Sequence, residues 1–295
     1  MSFFPWLRNR PSPLGMGQRK PKVGDRKPPR FRPQLETLED RCVPSTLKVT
    51  NPNDFGDPGS LRYEITHANS GDTIVFDKSL SNQTITLTSG ELQISKSLTI
   101  KGQGETITSQ AYENGFLEIL PGSRIFEVDA GMTVAISGLT IDGGGGTRVG
   151  NGGVTGTPND GYGGAILNFG TLTLSGCNLG AAVNVPVQYN SAEYGGAIAN
   201  FGTMTVSSCF MAGNSAYGGA IGRTFVPSEG GGIYNAGTLT VSRCNMVENS
   251  ANGAGGGIYN AGAAAALTVS NSSFSGNSPD AIFGPYIDGG RNTIK

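Results

Sequence analysis

The sequence lacks most of what carries chemistry in other proteins. It has one histidine, His67, and one tryptophan, Trp6, and its four cysteines form no C-x-x-C pair. With no second histidine or cysteine near it, His67 has no partners for a metal site. No apolar run reaches the length of about 18 residues that a membrane-spanning helix needs. Gly143–Gly146 is followed by Thr147 and no lysine, which excludes a phosphate loop. Charged residues are only 15% of the chain. What is abundant is glycine, 47 of 295 residues. At about 1 kcal/mol per helical position, that excludes a coiled coil or helical bundle. The glycines cluster as pairs and triplets instead of falling on every third residue, which excludes collagen. The regular spacing of the 37% hydrophobic residues argues against a disordered chain.

The net charge of −1 hides two different materials. Residues 1–44 carry ten Lys/Arg against four Asp/Glu, and the remainder carries eleven against eighteen. An acidic body of this kind is not a nucleic-acid binder. Residues 1–45 read as a disordered basic, proline-rich leader, with Arg19-Lys20-Pro21-Lys22 and Pro28-Pro29 as its signatures. Phe3-Phe4-Pro5-Trp6-Leu7 is too short, and too broken by proline, for the apolar core of an ordinary signal peptide. Cys42 lies in this leader.

Residues 46–295 read as one β domain. Leu47–Thr50 opens it as a strand. A short helix follows, with Asp57 expected as N-cap, Pro58 as first helical residue and Asn69-Ser70-Gly71 as the stop. β-Branched segments then recur between turn residues: 73–76, 84–88, 92–94, 97–100, 125–128, 133–136 and 139–141. No helical pattern separates them, so a doubly wound parallel sheet is excluded.

The strongest signal is a repeat. Gly163-Gly164-Ala165-Ile166-Leu167-Asn168 is followed by Thr171-Leu172-Thr173-Leu174. Gly195-Gly196-Ala197-Ile198-Ala199-Asn200 is followed by Thr203-Met204-Thr205-Val206. Gly231-Gly232-Ile233-Tyr234-Asn235 and Gly256-Gly257-Ile258-Tyr259-Asn260 open two further copies. Each copy turns at Cys177, Cys209, Cys244 or Ser272-Ser273, and closes on Asn-Ser at 190, 214, 249 or 277. A unit this short cannot bury a core alone, but a stack of such units can. The alternation in Thr-Leu-Thr-Val puts the aliphatic side chains inside. The expected fold is an all-β, single-stranded right-handed parallel β-helix with a short N-terminal capping helix. Asn168, Asn200, Asn235 and Asn260 are expected to stack as a structural column, and Cys177, Cys209 and Cys244 as a buried one. Residues 222–230, which follow a partial copy at Gly218–Ile221, are expected to protrude as a loop.

These motifs resemble the right-handed parallel β-helix superfamily, and the G-G-x-I-x-N-x-G-T-L-T-V unit is similar to the repeats of polymorphic outer-membrane proteins. Gln34-Leu35-Glu36-Thr37-Leu38-Glu39-Asp40-Arg41-Cys42-Val43-Pro44-Ser45 resembles a segment near the N-terminus of many exported planctomycete proteins. The resemblances imply an extracellular or cell-surface location, and a fold that serves lyases, hydrolases, adhesins and inert stalks alike.

The motifs of the superfamily's enzymes are missing. There is no R-x-x-P-x-x-R, no Asp-Asp pair, no G-H-G and no calcium-binding G-G-x-G-x-D nonapeptide. Were the chain a polysaccharide lyase or glycoside hydrolase, Asp142, Asp160 and Arg223 are the residues to carry it, with calcium as cofactor under the lyase reading alone. Otherwise no cofactor or metal is expected. Asp129, Glu193 and Glu229 are further scattered acids, and Tyr162, Tyr189, Tyr194 and Tyr217, at loop borders, could stack on sugars. The sequence therefore points to a non-catalytic exported protein presenting loops to a polysaccharide or a cell surface. The run Ile282-Phe283, Tyr286-Ile287 and Ile294, with no capping helix in view, suggests end-to-end self-association.

Overall fold

The computed structural model describes residues 43–295 except 114–118, 121, 147, 150–152, 155–160, 181–188, 218–219, 222–223, 226 and 263. The leader up to Cys42, and with it the expected disorder, lies outside the described residues, as do Asp160 and Arg223. The rest is a parallel β-helix. Its strands fall into three long parallel sheets of nine, eight and seven strands, visited in a fixed rotation. One full coil runs through Thr203–Ser207 in sheet one, Phe210–Ala212 in sheet two and Ile233–Asn235 in sheet three, then returns to Thr238–Ser242 in sheet one. A three-stranded parallel patch at Ser191–Ala192, Ser215–Ala216 and Ser250–Ala251 lies between sheets two and three.

The pairing is in register, so the repeat stacks on itself. Ile166, Ile198, Ile233 and Ile258 pair in sequence, as do Asn168, Asn200, Asn235 and Asn260. In sheet one two inward columns run Leu98, Val134, Leu172, Met204, Leu239, Leu267 and Ile100, Ile136, Leu174, Val206, Val241, Val269. In sheet two the column is Ile85, Ile107, Ile141, Leu179, Met211, Met246, Phe274. All of these are buried and form one cluster, which is the core that no single coil could enclose.

Glycine is required at one corner. Gly163, Gly195, Gly230 and Gly255, each three residues before a register isoleucine, have φ of +58°, +72°, +72° and +66°. A Cβ there would also strike the carbonyl oxygen of that isoleucine. No other residue meets both conditions.

The helix starts later than expected. It spans Leu61–His67, and Ser60, not Asp57, is the N-cap, its Oγ accepting from the Tyr63 N–H at 3.2 Å. Gly59 sits at φ +84°, which no right-handed helix accommodates, so Asp57–Gly59 form the turn ahead of it. Leu61 and Ile65 pack into the core beside Val49. A strand at Thr106–Ser109 was not anticipated, and Ala220–Ile221 with Thr224–Phe225 forms an antiparallel hairpin where a loop was expected to leave the coil.

Two asparagine ladders staple the coils. Asn168 Nδ2 donates to Asn200 Oδ1 at 2.7 Å, Asn200 to Asn235 at 2.8 Å and Asn235 to Asn260 at 2.6 Å. The asparagines of the Asn-Ser closures make a second column. Asn190, Asn214, Asn249 and Asn277 hand their amides on at 2.9, 2.8 and 2.9 Å. Each amide also donates to a backbone carbonyl, such as Leu179 O for Asn214. Removing one member orphans buried groups on both sides, at about 1–3 kcal/mol for each unsatisfied group. Asn200→Ala is therefore expected to lower unfolding stability by about 2–3 kcal/mol in urea titration, whereas Thr205→Ala on the outer face changes it by less than about 0.5 kcal/mol.

Candidate functional site

The outer face of sheet three departs from the repeat and carries the candidate functional side chains. Its middle positions stack in register as Gln93, Glu127, Leu167, Ala199, Tyr234, Tyr259 and Phe283. The face is thus polar toward the capping helix and aromatic toward the last coil.

At the polar end Arg124 is 1% exposed. Its Nη1 donates to Glu91 Oε2 and Glu127 Oε2, both at 2.6 Å, and its Nε to the carbonyls of Tyr162 and Gly163. The two carboxylate oxygens therefore lie at most twice that distance apart. Next to them is a cavity of about 370 Å³ lined by Arg62, Thr66, Glu91, Gln93, Ser95 and Lys96. Arg62 is held by Asp54 and by the carbonyls of Gly90 and Glu91. Lys96 donates to Thr66 O, and Gln93 to Asp129. No sequence motif marks this cluster. Its members come from three coils, and only a polar Arg124–Glu127 pair beside the buried Ile125 and Phe126 hinted at it.

At the aromatic end a corner column runs Tyr162, Tyr194, Glu229, Ala254. Each member stands four residues before a register isoleucine, so Glu229 occupies the place that the preceding coils give to tyrosine. Tyr162 and Tyr194 stack at 5.0 Å, and both rings lie near Tyr234, at 6.1 and 5.5 Å. Phe201 meets Tyr162 edge-on at 5.1 Å and stacks on Phe169 at 5.4 Å. The small Ala199 in the face makes room for this convergence. Tyr234, Tyr259 and Phe283 continue as a stack at 5.6 and 5.2 Å with nearly parallel planes. The rings pack on one another by face and by edge, and the Tyr259 hydroxyl donates to Glu229. Tyr162 and Tyr194, expected as stacking platforms for sugars, stack on one another. Tyr189 and Tyr217 are exposed and belong to no ring contact among the described residues.

Electrostatics follow from this crowding. Burial raises the phenols of Tyr162, Tyr194 and Tyr234, and the charges of Glu193 and Glu229 add to the rise for Tyr162 and Tyr194. Tyr234 is pushed up to about 12 by burial, with Tyr162 and Glu229 contributing. Burial also raises the Glu229 carboxyl, against the opposing hydrogen bond from the Tyr259 hydroxyl.

Compared with protein-family models, characterised proteins and solved structures, the chain matches none. Its chemistry has to be read from the face itself.

Of the residues singled out as catalytic candidates, only Asp142 is described. It is 4% exposed and accepts from the Gly143 N–H at 2.8 Å, so it is no groove residue. Cys177, Cys209 and Cys244 are free and buried, in one column with Ser272 and Asn292: Cys177 N donates to Cys209 Sγ, Cys244 N to Ser272 Oγ and Ser272 N to Asn292 Oδ1. The Cys209 thiol is pushed up to about 12, chiefly by its hydrogen bond with Cys177, which leaves it unreactive at neutral pH. Among the described residues no group of three or more His, Cys, Asp and Glu converges to hold a metal.

Burial raises the Asp142 carboxyl above its ordinary value, opposed by the Gly143 hydrogen bond. Folding thus disfavours its charged form. The native protein should lose stability from this site as pH rises from below the ordinary carboxylate value, about 4, through the raised one. Asp142→Asn keeps the acceptor and cannot ionise. Its thermal midpoint should match the parent at the acid end of that window and exceed it at neutral pH.

Proposed function

We propose that the protein is a non-catalytic, exported surface or extracellular protein that binds a polysaccharide along the outer face of sheet three. The observation that carries this reading is the cluster of tyrosines, Tyr162, Tyr194, Tyr234 and Tyr259, with Glu193 and Glu229 acting on it. Phenols and carboxylates grouped where two adjacent columns meet are hydrogen-bonding groups for a hydroxyl-rich chain. The rings themselves are pre-ordered by stacking, so little side-chain entropy is lost when a ligand is held. Departures from regularity on one face are where solenoids engage partners.

The test is retention of the protein on immobilised polysaccharides. The full chain should be held back by at least one of them. The pair Tyr194→Ala with Tyr234→Ala should weaken binding about tenfold or more while the far-ultraviolet spectrum stays that of a β-helix. Unchanged retention in that variant would sink the reading.

A second reading, as a polysaccharide lyase or glycoside hydrolase, is favoured by one observation: Glu91, Glu127 and Arg124 converge beside a cavity. Carboxylates this close suit a retaining glycosidase. Against it, the Arg124 guanidinium bonds both carboxylates and fills the gap where a glycosidic oxygen would have to sit. Incubation with neutral and acidic polysaccharides, with and without calcium, is expected to release no reducing ends and no unsaturated sugars. Product that disappears in Glu127→Gln would establish the second reading.

A further inference from the structure

We infer that the aromatic end of the sheet-three face selects a polysaccharide bearing free amines, of the kind built from β-linked amino sugars, with Glu229 as the group that recognises the ammonium. This rests on the polysaccharide-binding reading and adds the charge of the ligand to it.

The argument starts from the column Tyr162, Tyr194, Glu229, Ala254. A coil that places glutamate where its two predecessors place tyrosine sets a carboxylate among phenol rings. Glu229 is only partly exposed and is in none of the ion pairs formed among the described residues. Its one strong neighbour is the Tyr259 hydroxyl, which donates to it. Arg124, which donates to the Tyr162 carbonyl, is engaged by Glu91 and Glu127. A half-desolvated carboxylate is costly by itself and gains when a cation joins it.

The surroundings favour the same ligand. Glu193 precedes Tyr194 in the chain, and its charge acts on both Tyr162 and Tyr194. Phenol hydroxyls accept hydrogen bonds from ammonium groups. The body of the protein is acidic, with eleven basic against eighteen acidic residues beyond position 44, which steers a polycation toward it. An acidic polysaccharide meets repulsion at this end. A neutral one meets the hydroxyls but leaves the Glu229 carboxylate uncompensated. A basic peptide would satisfy the charge but not the group of phenol hydroxyls, which is why the amine-bearing sugar chain is the ligand argued for.

The experiment compares binding of the full chain to four oligomers of matched length: a fully deacetylated glucosamine oligomer, its N-acetylated form, a neutral glucose oligomer and oligolysine. The deacetylated oligomer is expected to bind about tenfold more tightly than the acetylated one, the scale of one semi-buried charge pair. Glu229→Gln, which keeps the shape of the side chain, should remove that difference while leaving the weaker binding of the acetylated form in place. Added salt should weaken only the deacetylated complex. Equal affinity for the acetylated and deacetylated oligomers, or a preference that survives Glu229→Gln, overturns this inference and leaves polysaccharide binding standing. Binding of oligolysine alone, or of none of the four, overturns both.

Discussion

In-register parallel pairing is the constraint on which everything else depends. Each coil hydrogen-bonds to the one before it with no shift, so every side chain stands over its counterpart in the next coil. A column of like side chains survives only where like gains from like. Aliphatic groups do, because stacking removes apolar surface from water. Asparagine does, because one amide carries both donor and acceptor. Aromatic rings do, by offset stacking. Like charges repel at this spacing, which accounts physically for the sparse charge and for the threonines that line the outside of sheet one.

The same rule explains where the chain spends its irregularity. The inner columns stay apolar from coil to coil, since a polar side chain there would enter the shared core. The outer face of sheet three, by contrast, passes through Gln93, Glu127, Leu167, Ala199, Tyr234, Tyr259 and Phe283 within seven coils. The charges that do enter this face are handled in two ways. At Arg124 they are paired and buried. At Glu229 a carboxylate is left among phenols, with a hydroxyl as its partner.

Much of the fold was legible from residues alone because the repeat is local and periodic. The G-G-x-I-x-N unit and the Thr-Leu-Thr-Val alternation are each short enough to read by eye, and they specify both the corner and the inward face. The second asparagine ladder could also have been read, since Asn190, Asn214, Asn249 and Asn277 stand at matching places. The helix boundary was misplaced because Asp57-Pro58 is a good helix start locally, whereas Gly59 is held in a left-handed conformation next to Thr50 and Asn51.

The candidate site was far less legible. Asp142 looked like a loop acid and is a buried one, because its strand ends inside the coil. Glu91, Arg124 and Glu127 belong to no motif and meet only when their coils stack. The sequence by itself determined the coil, its period and its inner columns, because these depend on neighbours a few residues apart repeated many times. Only the tertiary structure decided which charges and rings share a face, because that depends on how much chain lies between coils, and the insertions before each register isoleucine are not periodic.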